Sequence, residues 1–188
     1  MRWQRLFADL QAEWEAEEVA AERAEDASRT RLEIGAIHLA DRLGGAVGRE
    51  LTVRCRGLGD LRGLLTEVGA GWLLVTEAGG REVLVALAAV RSVTGLDRGT
   101  AAPTGGEVVA RLDLRWALRG LARDRSPVQV LLDDGGTSTG TVDRVGADFL
   151  ELAEHAGDEP RRTAAVHGVR AIALDAVAAV RRLAPGLD

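Results

Sequence analysis

The sequence predicts a mainly β protein with accessory helices: two tandem units of five short strands, each unit preceded by a helix, behind a long N-terminal helix. Three observations predict it. VGAGWLLV at 68–75 is echoed by VGADFLEL at 145–152. Short apolar runs alternate with glycine-bearing turns, which is strand punctuation. Residues 2–33 hold no Gly or Pro and are rich in Ala, Glu, Leu and Arg, as a helix requires.

The N-terminal helix, assigned to residues 1–36, places Trp3, Phe7, Leu10 and Trp14 at spacings of four, three and four along one stripe. The same heptad phase then meets Glu17, Ala21, Ala24 and Ser28, which does not sustain a coiled coil. The stripe needs a partner, because exposed tryptophans are costly in a monomer. Two partners fit: the chain's own β units, or a second protein, including a second copy of this chain. Trp3, Phe7, Leu10 and Trp14 are therefore the candidate protein-contact residues.

The echo extends into a repeat. Residue n beside residue n+77 aligns Leu51/Val128 through Val75/Leu152 without a gap, and seven of the 25 pairs are identical. Among these are Gly63/Gly140, Gly69/Gly146 and Leu73/Leu150, while Trp72/Phe149 is conservative. Leu51, Val53 and Cys55 match Val128, Val130 and Leu132 on one strand face. After ten inserted residues in the second copy, at about 154–168, Leu87, Val90 and Val93 match Leu174, Val177 and Val180.

Within the first copy the strands read LTVRCR, LRGLLTEV, WLLVTE, REVLVAL and RSVTG. Gly63 and Gly140 fall inside strand patterns, where a missing side chain permits a sharp bend. Helical stretches are expected at about 36–48 and 108–124. The first unit spans 37–96, a linker 97–107, and the second unit 108–183.

A short helix followed by five bent strands, with a glycine in the second, resembles the Sm-like barrel, a small SH3-like fold. The resemblance implies tandem barrels over 37–183, with RNA binding or ring assembly as family habits. The Sm pattern places an Asp six residues after the strand-two glycine and an Asn ten after it, in the nucleotide pocket. Here those positions hold Gly69 and Leu73 in one copy and Gly146 and Leu150 in the other. The family's Arg-Gly pair is also missing from LVALAAVRSV and VRAIALDAVAAV. The resemblance therefore implies the barrel without its RNA site.

Composition narrows the function. With 24 Arg against 29 acids the net charge is −5, and segments 1–38, 39–111 and 112–188 carry −4, +1 and −2. An acidic arm does not track a phosphate backbone. Aromatics at 3% with no Tyr leave few stacking platforms. No basic residue is Lys, a compositional bias expected of a GC-rich genome. The lone Cys55, a charged N-terminus and no apolar run of membrane-spanning length predict a cytoplasmic protein with no membrane partner.

Catalytic signals are weak. RGLGDLRG at 56–63 leads into a strand instead of the helix a phosphate loop needs. LLDDGGTSTG at 131–140 reads as a hairpin turn, and His38, His155 and His167 lack companion ligands at metal spacing. His155, within the insertion, is expected in a solvated hairpin. Cys55 has Leu132 as its counterpart and reads as a packing residue. No catalytic, cofactor or metal residue is assigned, and no small-molecule substrate is implied. Arg54, Arg56, Arg62, Arg161 and Arg162 form a candidate anion patch if the fold gathers them. The reading is a non-catalytic structural or adaptor protein acting through protein contacts or self-association, a homodimer included. The alternative is a nucleic-acid-binding module using a surface other than the Sm pocket.

Overall fold

The computed structural model describes residues 2–97, 99–100, 112–157 and 166–183; within the first helix the side chains of residues 2–10, 12, 15, 16, 20, 21, 24 and 27 lie outside that description. Residues 1–38 and 39–188 form two units. The first carries helix α1 (Arg2–Gly35). Among the described residues the second carries α2 (Leu39–Gly44), α3 (Leu114–Asp124) and ten strands. The two short helices are tighter than the expected 36–48 and 108–124.

The strands are β1 (Glu50–Cys55), β2 (Gly59–Gly69), β3 (Trp72–Glu77), β4 (Glu82–Ala86), β5 (Val90–Thr94), β6 (Pro127–Leu132), β7 (Thr137–Val145), β8 (Phe149–Glu154), β9 (Gly168–Ala173) and β10 (Val177–Arg182). They form one antiparallel sheet in the order β5-β1-β2-β3-β4-β10-β6-β7-β8-β9. The sheet is not closed. The expectation of two separate barrels is thus met only at the level of a mainly β chain with helices; β4 and β10 join the halves edge to edge.

The repeat is visible in the strand registers. Leu51 faces Gly63 as Val128 faces Gly140, and Val53 faces Val93 as Val130 faces Val180. A β-bulge falls between Leu65 and Glu67 in β2 and between their counterparts Val142 and Arg144 in β7. Just before each bulge the neighbouring strand crowds in. A Cβ on Gly63 would lie 2.3 Å from the Thr76 carbonyl oxygen, and one on Gly140 2.0 Å from that of Ala153. Both contacts are with backbone, which cannot swing aside, so only glycine fits.

Alternation along β1 turns Leu51, Val53 and Cys55 inward, where they meet Leu61, Leu65, Leu73, Val75, Val83 and Val85 in the first core. The second core gathers Leu118 of α3 with Val128, Val130, Val142, Leu150, Leu152 and Ile172. The cores are not confined to their own halves. Leu131 and Ala179 of the second half complete the first core, while Trp72 and Leu84 of the first half enter the second. Strand β4 is consequently buried on both faces from Val83 to Ala86, and its run of apolar residues suits such a position.

Helix α3 is fixed at its start. The Asp113 carboxylate caps it by accepting from the Trp116 amide at 2.8 Å. Burial opposes ionisation of Asp113, but that amide and the Arg115 guanidinium outweigh it and hold the carboxyl below its ordinary range. The Trp72 indole N–H donates to the Leu112 carbonyl at 2.8 Å, tying the chain entering α3 to the first half.

Candidate protein-contact site

Strands β3 and β4 present two faces. Leu73, Val75, Val83 and Val85 point into the first core, so Trp72, Leu84 and Ala86 point away from it. These three are buried because the second half covers them: Trp72 and Leu84 pack with Leu118, Val128 and Val180, and Ala86 packs with Ala89, Ala178 and Leu114. Trp72 is only 2% exposed.

The matching positions in the second half are exposed. Register carries Trp72, Leu84 and Ala86 onto Phe149, Ala171 and Ala173, with Phe149 paired to Ala173 as Trp72 is to Ala86. Phe149 is 37% exposed, Ala171 and Ala173 are exposed, and Val169 on the same face is 62% exposed. Glu151, counterpart of Leu74, lies beside this stripe in a two-bonded pair with Arg144 at 2.7 and 2.8 Å. Among the described residues β9 is the last strand of the sheet, so its outer edge offers backbone donors and acceptors.

At the opposite end of the sheet, among the described residues, lies β5. Its counterpart β10 buries Val177, Ala178, Ala179 and Val180 at the seam between the halves. On β5 the matching residues are Val90, Arg91, Ser92 and Val93; the valines pack against the first core and Arg91 and Ser92 are exposed. The seam also has an ionic latch. Arg181 lies 3.4 Å from Glu77 and Arg182 3.5 Å from Glu82. The β5 counterparts, Thr94 and Gly95, carry no such charge.

The residues singled out from sequence fall in several places. The side chains of Trp3, Phe7 and Leu10 lie outside the described residues, as do Arg161 and Arg162. Trp14 is 71% exposed. Arg54, Arg56 and Arg62 each face a carboxylate: Asp60 at 3.3 Å, Asp133 at 2.7 Å and Glu50 at 3.5 Å. Their charge is answered locally, which weakens a field directed at an external anion. The cross-strand register causes this, since Arg54 stands opposite Asp60.

Cys55 is buried, and desolvation, with the Asp60 charge adding to it, pushes its thiol up to about 11. A thiol held protonated is no nucleophile at neutral pH. His155 is buried instead of solvated. Its Nδ1–H donates to the Ala156 carbonyl at 2.7 Å, leaving Nε2 to accept from the buried Thr141 hydroxyl at 2.8 Å in the neutral ring. Thr141 takes the place of Leu64 in the repeat, so the polar pair is peculiar to the second half. Among the described residues no group of three or more His, Cys, Asp or Glu is placed to hold a metal, and no helix is long and apolar enough to cross a membrane.

Sequence reasoning missed Phe149, Val169, Ala171 and Ala173 as a surface. A signal existed in the alternation of GVRAIA, whose apolar residues fall on both strand faces while only one face meets the core. No protein-family model matches this chain, and no curated protein matches it.

Proposed function

We propose that this chain is a non-catalytic structural or adaptor protein that works by protein contact, self-association included. The observation that carries the reading is the exposed face of Phe149, Val169, Ala171 and Ala173: Trp72, Leu84 and Ala86, the first-half counterparts of Phe149, Ala171 and Ala173, are sealed inside the molecule by a neighbouring half. A face built on the same plan as an existing seam is suited to receive protein. We further read each half as a small barrel of the Sm-like kind, supported by the repeated order 5-1-2-3-4, the bulged second strand and its glycine. The stripe of Trp3, Phe7, Leu10 and Trp14 on α1 is a second contact element in this reading.

The test is the molar mass of the full chain by light scattering at rising concentration. The reading expects a mass above 19.9 kDa that falls on Phe149→Asp, or on joint replacement of Trp3, Phe7 and Trp14 by Ala. A constant monomer mass, together with salt-sensitive binding of mixed-sequence RNA or DNA in the micromolar range, would favour a nucleic-acid module instead.

A further inference from the structure

We infer that the outer side of helix α3 is the docking site for helix α1 of a second copy of this chain, with Arg119 and Arg123 of one molecule set against Glu18 and Glu22 of the other. The inference rests on the protein-contact reading above and names a second surface and its occupant.

Leu118 turns one side of α3 into the second core, and the opposite side carries Trp116, Arg119, Gly120 and Arg123. Trp116 is 42% exposed, and both arginines are exposed. The neighbouring Arg115 is answered within the molecule, by the Asp113 carboxylate at 2.6 Å and the Ala147 carbonyl at 3.4 Å. That second bond sets the face beside the turn leading to Phe149. Arg119 and Arg123 have no ion pair among the described residues, since the Asp113 charge that reaches Arg119 is already bound to Arg115. They stand four residues apart, where like charges repel. Gly120 serves no packing need of its own unit: a Cβ there would meet nothing within 4 Å, and glycine weakens a helix interior. What it provides is a notch between Trp116 and Arg123, where a second helix can approach closely. Trp and Arg around such a notch are the residue types that dominate protein-binding hot spots.

The chain itself supplies a helix of matching charge. Residues 6–22 of α1 contain no basic residue. Within that stretch Glu18 and Glu22 are exposed and stand four residues apart, and no arginine lies three or four residues from either, the positions from which a helix neighbour could pair. Each pair of like charges therefore repels itself, and the two pairs share one spacing. Laid side by side, in either direction along the axes, the helices set both arginines on both glutamates and relieve both repulsions. Val19, 41% exposed beside Glu18, offers Trp116 an apolar contact. A net charge of −5 disfavours a phosphate polymer as the occupant.

Charge exchange in the full chain tests this by sedimentation velocity, with circular dichroism as the check on folding. Two variants each reverse one side: Arg119→Glu with Arg123→Glu, and Glu18→Arg with Glu22→Arg, all at exposed positions. Either should raise the concentration needed for assembly by about tenfold or more. Assembly returns when all four exchanges are combined, and in an equimolar mixture of the two variants, where acidic and basic faces again meet. Gly120→Gln should melt at a higher temperature yet assemble less, because it strengthens the helix and fills the notch. Charge variants that assemble like the unaltered chain overturn the proposal, as does failure of both the combined variant and the mixture to assemble. If assembly ignores these charges but is lost in Phe149→Asp, self-association stands and this contact falls. If reversing Arg119 and Arg123 abolishes salt-sensitive binding of mixed-sequence RNA while assembly is unchanged, the face serves nucleic acid and the contact falls. An unaltered chain that is monomeric at all concentrations removes both the contact and the self-association on which it rests.

Discussion

Arg56 and Asp133 hold the same place in the two repeats, 77 residues apart, and their side chains meet, Nη1 to Oδ2, at 2.7 Å. This ion pair marks where the β1–β2 turn leans on the β6–β7 turn. Both groups are partly solvated, which limits the pair to about 1 kcal/mol or less. Arg56→Ala and Asp133→Ala should each lower stability by that order, with a coupling of similar size in a double-mutant cycle read by urea unfolding. Full additivity of the two would remove the pair from the seam.

Leu131 belongs to the second half but completes the first core beside Ala179. Truncating it opens a cavity in the other repeat. Leu131→Ala should cost about 2 to 4 kcal/mol and shift one transition for the whole of the sheet. The measurement is urea unfolding followed by far-UV circular dichroism and by Trp72 fluorescence, with the other tryptophans replaced by Phe. Two separated transitions would mean that the halves unfold independently.

Asp113 gives the sheet unit an acid-side sensitivity. Its carboxyl is held below the ordinary range, so the stabilisation it provides is present above the unfolded value of about 4 and lost as pH falls through the lower folded value. Asp113→Ala should remove about 1 kcal/mol at neutral pH by uncapping α3. Asp113→Asn should keep the cap while flattening the thermal stability profile between about pH 5 and 2. An unchanged profile in the Asn variant would assign the acid limb to other carboxylates.

Cys55 acts on the alkaline side. Its thiol is raised to about 11, so the folded state favours the protonated form. The associated stability is complete below the unfolded value of about 8.5 and disappears as pH rises through about 11. In the native protein iodoacetamide at pH 8 should label Cys55 at least tenfold more slowly than in urea. Equal rates would show that the thiol is accessible and ionised.

Much of the sheet was legible because both repeats mark their strands with the same glycines at the same intervals. Gly63 and Gly140 had to be glycine for a local reason, the approach of a carbonyl, and local reasons survive in sequence. The seam was not legible in the same way. Arg181 and Arg182 latch onto Glu77 and Glu82, more than 90 residues away, and no local pattern points to those partners. Arg54, Arg56, Arg62, Arg161 and Arg162 make an anion patch only if the fold gathers them, whereas strand register and the seam hand each of the first three a carboxylate. His155 read as solvated because its partner Thr141 sits where the first repeat has Leu64. The uncovered face stayed hidden because exposure of Phe149 depends on what lies beside β9, which is decided by chain topology.

Sedimentation equilibrium of the full chain, from micromolar to several hundred micromolar, tests most simply the proposal that this protein contacts protein through the exposed Phe149 face. The average mass should climb above 19.9 kDa with concentration and drop back to it in the Phe149→Asp variant. A mass fixed at that of one chain across the whole range would contradict it.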